Sequence, residues 1–198
     1  VLGIRPLLWK NGWPVAGEVF KEGTYEIESE RRGYALELAV DFVRMEYTRH
    51  RFWEKDDTPV VPLKSQTLED VIGTWPQGKI NVRIGDYMFR PHQKWTITAV
   101  PDGGGYLGGP YYKIVIEGTN RTLAATADAE VVTVPEFTGA PEQLWRIDQL
   151  TDGTYRIMPK EVPGTDKELV LVSVGDSTPS LGEFDMNSDN SKWNFRDH

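Results

Sequence analysis

The chain has 198 residues, with 22 Lys and Arg against 30 Asp and Glu and a formal net charge of -8, the wrong sign for a domain that holds phosphate backbones or an anionic membrane surface. Hydrophobic residues at 39% and charged residues at 26% belong to a globular chain able to bury a core, which excludes disorder and collagen-like order. Cysteine is absent, and disulfide frameworks, thiolate nucleophiles and Cys-ligated zinc are excluded with it.

No apolar run, Leu169-Val170-Leu171-Val172 included, approaches the ~20 residues that span a bilayer. The opening Val1-Leu2-Gly3-Ile4-Arg5-Pro6 lacks a charged region followed by an apolar one, so no signal peptide is expected and the chain reads as a fragment or a processed product. Beyond residue 17, Gly23-Thr24-Tyr25-Glu26-Ile27 starts a strand. Next, Leu36, Leu38, Val40 and Phe42 alternate with Glu37, Ala39 and Asp41 at the period of a second strand, although 36, 40, 43 and 47 also suit a helix. Residues from about 45 to 84 carry Phe52, Trp53, Pro59-Val60-Val61-Pro62 and then Ser65-Gln66-Thr67-Leu68-Glu69-Asp70. There Thr67 can cap a short helix with Asp70 in its first turn, the one helix expected. Trp95-Thr96-Ile97 follows, and Gly103-Gly104-Gly105-Tyr106-Leu107-Gly108-Gly109 reads as a long hairpin loop. Pro110-Tyr111-Tyr112-Lys113-Ile114, Leu123 and Trp145-Arg146-Ile147 then repeat the earlier order. Gly153-Thr154-Tyr155-Arg156-Ile157, Leu169 and Trp193-Asn194-Phe195 repeat it again.

The three tryptophans stand 50 and then 48 residues apart, and isoleucine to leucine spans 9, 9 and 12 residues, the extra length falling in Glu161-Val162-Pro163-Gly164. Leucine to tryptophan spans 59, 22 and 24 residues, which gives the first copy an insertion of roughly 36 residues, placed at about 45–84. Alignment of the copies decides for strand at Leu36. Three copies of about four short strands predict an all-β chain, a closed threefold barrel with a hairpin cap, its core filled by the repeated Trp, Leu and Ile.

Gln93-Lys94-Trp95 and Gln143-Leu144-Trp145 match the Gln-x-Trp signature of ricin-type β-trefoil lectin domains, also called carbohydrate-binding module family 13, and the third copy departs from it with Ser191-Lys192-Trp193. Residues 18–198 resemble that family, with repeats at about 18–97, 98–147 and 148–198. Residues 1–17 carry a second resemblance. Ile4-Arg5-Pro6-Leu7-Leu8-Trp9 followed by Asn11-Gly12-Trp13-Pro14-Val15 is similar to the closing strand of the five-bladed propeller of arabinan-degrading glycoside hydrolase family 43 enzymes. That resemblance implies the C-terminal module of such an enzyme, bacterial and extracellular or periplasmic. The family's catalytic carboxylates belong to earlier blades and map onto no residue here.

Own catalysis is not expected. His50, His92 and His198 have no ligand partner at motif spacing, so no metal or other cofactor is expected. Asp56-Asp57, Glu69-Asp70 and the pair Asp185 and Asp189 read as surface charge, since adjacent side chains on a strand point apart. Sugar binding asks for a flat aromatic ring beside Asp, Asn or Gln. The resemblance places a sugar-contacting Asp at Leu38, Ala125 and Leu171, so that contact is missing in all three copies. It leaves Phe184 at the aromatic position and Asn190 before the tryptophan, with Asp176, Asp185 and Asn187 close in sequence and Phe137 in the second copy. Phe184 also suits core packing, and Asn190 a turn. Two functions follow: a non-catalytic module that binds a polysaccharide or oligosaccharide, or a structural module packed on the catalytic propeller through Trp53 and Trp75 of the insertion.

Overall fold

Each Gly/Pro-x-Tyr-x-Ile segment forms a strand whose alternate side chains turn inward, and each tryptophan begins another. A computed structural model describes residues 7–10, 12–16, 19–31, 34–40, 67–88, 90–106, 109–174 and 178–197. The opening segment is a hairpin of β1 (Leu7–Lys10) and β2 (Trp13–Ala16), paired with each other in register Leu7↔Ala16 to Lys10↔Trp13. The first repeat contains β3 (Gly23–Ser29), β4 (Tyr34–Leu38), helix α1 (Leu68–Ile72), β5 (Ile80–Asp86) and the start of β6 (Lys94–Tyr106). The second contains β7 (Gly109–Ile116), β8 (Thr122–Ala125), β9 (Val131–Val134) and β10 (Trp145–Gln149). The third contains β11 (Tyr155–Pro159), β12 (Val170–Val174), β13 (Thr178–Gly182) and β14 (Trp193–Asp197).

Six of these strands pair in a closed antiparallel ring, β3–β6–β7–β10–β11–β14 and back to β3. The other six form three hairpins, β4–β5, β8–β9 and β12–β13. This is a β-trefoil. Its threefold register is visible at the tryptophans: Trp95 lies opposite Tyr25, Trp145 opposite Tyr112 and Trp193 opposite Tyr155. All three tryptophans are 0% exposed. Each indole N–H donates to the carbonyl of the leucine in its own repeat's hairpin: Trp95 to Leu36 at 2.8 Å, Trp145 to Leu123 at 3.0 Å and Trp193 to Leu171 at 2.8 Å. The third leucine is therefore Leu171, not Leu169. Leu169 and Leu171 share one face of the chain by the period of two, and the loop before them absorbs the difference. The position two residues on in the third repeat is accordingly Ser173 rather than Leu171.

The far end of the barrel is closed by Phe20. Its ring lies 4.5 Å from Phe195, 5.2 Å from Tyr25, 5.6 Å from Tyr155 and 5.7 Å from Tyr112 between centroids, in tilted and edge-on geometries favoured by aromatic quadrupoles. The Tyr112 hydroxyl donates to the Phe20 carbonyl at 2.9 Å, and burial together with the charge of Glu22 pushes that phenol up to about 12. The segment before β3 is thus part of the barrel's floor.

Helix α1 has the expected cap: Thr67 Oγ1 accepts from the Asp70 amide at 3.2 Å, and Asp70 Oδ2 accepts from the Thr67 amide at 2.9 Å. Those bonds hold the Asp70 carboxyl below the usual range. Strand β5 crosses the expected end of the insertion at about 84, pairing with β4 through Leu36↔Ile84. Trp75 is buried in the trefoil's own core rather than left for a second domain, while Phe52 and Trp53 lie outside the described residues. Three short 3-10 turns, Pro91–Gln93, Pro141–Gln143 and Asp189–Ser191, precede the tryptophan strands. Each is locked by the signature side chain: Gln93 Nε2 donates to the Asp86 carbonyl at 2.7 Å, Gln143 Nε2 to that of Glu136 at 3.4 Å, and Ser191 Oγ to that of Asp185 at 2.9 Å. The Ser191 hydroxyl thus does in the third repeat what the amides do in the first two.

Candidate functional site

Because the tryptophans and the residues two places on face inward, the residues between them and after them face out. On the barrel wall this sets up three equivalent cross-strand pairs, Thr98↔Lys113, Asp148↔Arg156 and Arg196↔Glu26. Two of the walls are filled by their own charges. In the third repeat Arg156 Nη2 donates to Asp148 Oδ2 at 2.7 Å, Arg146 Nε lies 2.7 Å from the same oxygen, and the Arg156 guanidinium stands 5.0 Å over the Phe184 ring. On the wall between the third and first repeats Arg196 pairs with Glu28 at 3.1 Å and lies 4.4 Å over the Tyr87 ring, while Asn194 Nδ2 donates to Glu30 Oε2 at 2.5 Å. Burial, with a hydrogen bond to Glu26, pushes the Tyr87 phenol up to about 12.

The second wall is open. Thr96 and Thr98 on β6 face Val115 and Lys113 on β7, and a groove of about 710 Å³ runs from them to the turn at 118–120 and to Glu136 and Phe137. Phe137 is half-buried, with Lys113 Nζ 5.5 Å from its centroid. The Phe137 ring, hydroxyls, the Asn120 amide and the Glu136 carboxylate therefore line one groove. A second hollow, about 590 Å³, lies under residues 159–168 beside Tyr111 and Arg146. Its Lys160 stands 5.2 Å over Tyr111 and donates to the Gly103 carbonyl at 2.8 Å, tying two loops together.

Of the residues expected to contact sugar, Phe184, Asp185, Asn187 and Asn190 share the loop before β14. Phe184 is half-buried beneath Arg156; the other three are exposed. The loop is organised by its own polar groups, Asp185 Oδ1 accepting from the Asn187 amide at 2.9 Å and Ser188 Oγ from the Asn190 amide at 3.3 Å. Asp176 lies outside the described residues. Phe137 lies in the open groove, away from this loop.

Sequence reasoning missed a buried cluster. Glu37 accepts from Arg83 Nε at 2.5 Å and from Gln93 Nε2 at 2.7 Å, and lies 3.1 Å from Nε2 of His92, whose side chain is 2% exposed. Although burial opposes ionisation, the bonds from His92, Arg83 and Gln93 hold the Glu37 carboxyl below its usual range. A Cβ on Gly85 would stand 2.5 Å from that carboxylate, so glycine is required for the close approach. Partners 46 and 55 residues apart in sequence leave no local signal. Among the described residues no group of three or more His, Asp or Glu could hold a metal, and no helix is long and apolar enough to cross a membrane.

Residues 91–179 match the model of the family described as ricin-type beta-trefoil lectin domain-like. Fold and match together define the class: the chain is a β-trefoil, similar over that region to ricin-type lectin domains. Among solved structures it is similar to a mosquitocidal holotoxin (14% identity, TM-score 0.61), covering 93% of this chain but 18% of the toxin. It is also similar to a Polyporus squamosus lectin bound to a human-type influenza-binding epitope containing Neu5Ac (15% identity, TM-score 0.58), covering 91% of this chain and 50% of the lectin. A third similar structure is the β-trefoil lectin of the Vibrio vulnificus hemolysin/cytolysin with N-acetyl-D-lactosamine bound (12% identity, TM-score 0.54), covering 89% of this chain and 95% of that one. No curated protein matches the sequence.

Proposed function

We propose that the chain is a non-catalytic carbohydrate-binding module that contacts its saccharide in the groove beside Phe137. The observation that carries this reading is the contrast between the three walls: two are closed by Arg–carboxylate pairs, and one leaves an aromatic ring among hydroxyls, an amide and a carboxylate. An aromatic ring can bury a sugar's C–H face while such polar groups exchange hydrogen bonds with its hydroxyls. The saccharides bound to the Polyporus and Vibrio lectins support the same use of this fold. The exposed loop at Asp185, Asn187 and Asn190, with Phe184, offers a second contact along a polymer.

The finer reading is a module of a plant-polysaccharide hydrolase, arabinan being the substrate that the family 43-like opening segment suggests. Tethering would then raise the enzyme's local concentration on its polymer. A structural role as a docking module is favoured by one observation: the β1–β2 hairpin exposes Trp13 (75%) and Leu7 (58%). Native gels containing arabinan, xylan or galactan test the binding reading. Retardation should be weak, about millimolar per site, because hydroxyl bonds exchange with water almost evenly. Phe137→Ala should abolish it without unfolding the protein. Retardation that survives Phe137→Ala and is lost with Phe184→Ala would move the site to the third repeat, and none with any polymer would favour the docking role.

A further inference from the structure

The barrel's internal symmetry shows what the open wall lacks. In the third repeat Asp148 and Arg156 face each other across β10 and β11 and close at 2.7 Å. At the equivalent positions of the second repeat the basic residue is kept, as Lys113, but the acid is replaced by Thr98. Among the described residues no carboxylate lies within 4 Å of Lys113 Nζ, which stands 5.5 Å from the Phe137 ring centroid. The lysine is half-buried at the edge of the groove, beside the hydroxyls of Thr96 and Thr98. An ammonium partly withdrawn from water, with no carboxylate within 4 Å among the described residues and an aromatic ring beside it, is arranged to receive an anion carried on an apolar face.

We propose that the groove takes a saccharide bearing a carboxylate, a uronic acid unit, with its ring against Phe137 and its carboxylate paired with Lys113 in the place that Asp148 fills in the third repeat. This rests on the reading of the groove as a saccharide site. Glu136, which lines the same groove, and Glu22, which accepts from the Ala99 amide beside Thr98, both oppose an anionic ligand and limit the affinity. The chain's net charge of -8 also opposes it at long range, but at physiological salt the Debye length of ~8 Å confines the contest to the groove.

The test is an amide-resolved NMR titration of the 198-residue chain at physiological salt with trigalacturonate, its methyl ester and arabinotriose. The acid should bind about tenfold more tightly than the ester, the scale of one partly exposed charge-assisted bond, with shifts at Thr98, Lys113 and Phe137. Lys113→Gln and Thr98→Asp should each reduce the acid to the affinity of the ester, the second by supplying the missing acid from the protein itself. Lys113→Arg should keep the preference, and Glu136→Gln should raise it. The three positions, Thr98 and Lys113 on the barrel's outer wall and Glu136 after β9, lie outside the core, and an unchanged spectrum without ligand checks the fold. Equal binding of acid and ester, or an acid preference that survives Lys113→Gln, overturns the proposal. A sulfated trisaccharide preferred over the carboxylate, and dependent on Lys113, overturns the uronate assignment in favour of a sulfated sugar. Binding of arabinotriose without any acid preference defeats this inference alone; no binding of any sugar defeats the saccharide reading as well.

Discussion

Replacing Trp145 with Ala and with Phe separates the two ways the tryptophans hold the trefoil together. The indole is 0% exposed and its N–H donates to the Leu123 carbonyl, itself in the dry interior of the β8–β9 hairpin. Trp145→Ala removes the whole ring from a packed core and should cost about 3–5 kcal/mol, as large aromatic truncations do. Trp145→Phe keeps most of the apolar contact but leaves the Leu123 carbonyl without its donor, which should cost about 1–3 kcal/mol. Chemical denaturation followed by far-UV circular dichroism measures both. Since Trp95 and Trp193 make the same bond to Leu36 and Leu171, their Phe variants should fall in the same range. A loss under about 1 kcal/mol for Trp145→Ala would place the residue outside the core and refute the reasoning.

Glu37→Gln should cost about 2–3 kcal/mol at neutral pH, because Arg83 loses its counter-charge. Glu37 is held below its usual value of 4.5 in the folded protein, so its stabilisation is complete above that value and is lost as the pH falls through the folded pKa; denaturation curves at neutral and acid pH should converge for wild type and variant, and parallel curves would exclude the role. Phe20→Ala should cost about 2–3 kcal/mol and weaken the near-ultraviolet dichroism of the tyrosines around it; unchanged spectra would show that the ring is not the floor's closure. The chain alone should release no reducing sugar from arabinan, since Asp148 is taken up by two arginines and Glu37 by His92, Gln93 and Arg83; release that disappears with Asp185→Asn would overturn this.

The fold was legible in the sequence because the core repeats and the surface does not have to. Trp95, Trp145 and Trp193, with the tyrosines opposite them, face the same interior from three directions, so selection for packing writes one pattern three times. The third leucine was misread because Leu169 and Leu171 have the same parity, and what separates them is a hydrogen bond, invisible in spacing. Glu37 and His92 are ordinary surface residues by composition and meet only because β4 and the turn before β6 close on each other. The short turns had a signal, Pro91 and Pro141 at a position that favours proline at a helix start. The open groove was legible in principle, by comparing the outward residues of the aligned repeats: Thr98, Asp148 and Arg196 against Lys113, Arg156 and Glu26. Phe184 fits the motif, and the structure sets it beneath Arg156, a partner that repeat spacing does not reveal.

Closure of the ring by β14 against β3 puts Asp197 opposite Tyr25. Phe20 enters at that same end, whereas β7 carries the groove away from it, from Tyr112 near Phe20 to the turn at 118–120. Glu22 accepts from the Ala99 amide at 2.6 Å and Thr24 Oγ1 lies 3.1 Å from Thr96 Oγ1, so a partner fused ahead of residue 19 enters beside the Thr96–Thr98 end of the groove and away from its turn at 118–120. A circular permutant that joins residue 197 to residue 19 through a short linker, with new ends cut in another loop, would leave every barrel strand pairing in place. A molecule held at residue 19 or residue 197 thus keeps the turn at 118–120, the groove's other end, clear of the attachment.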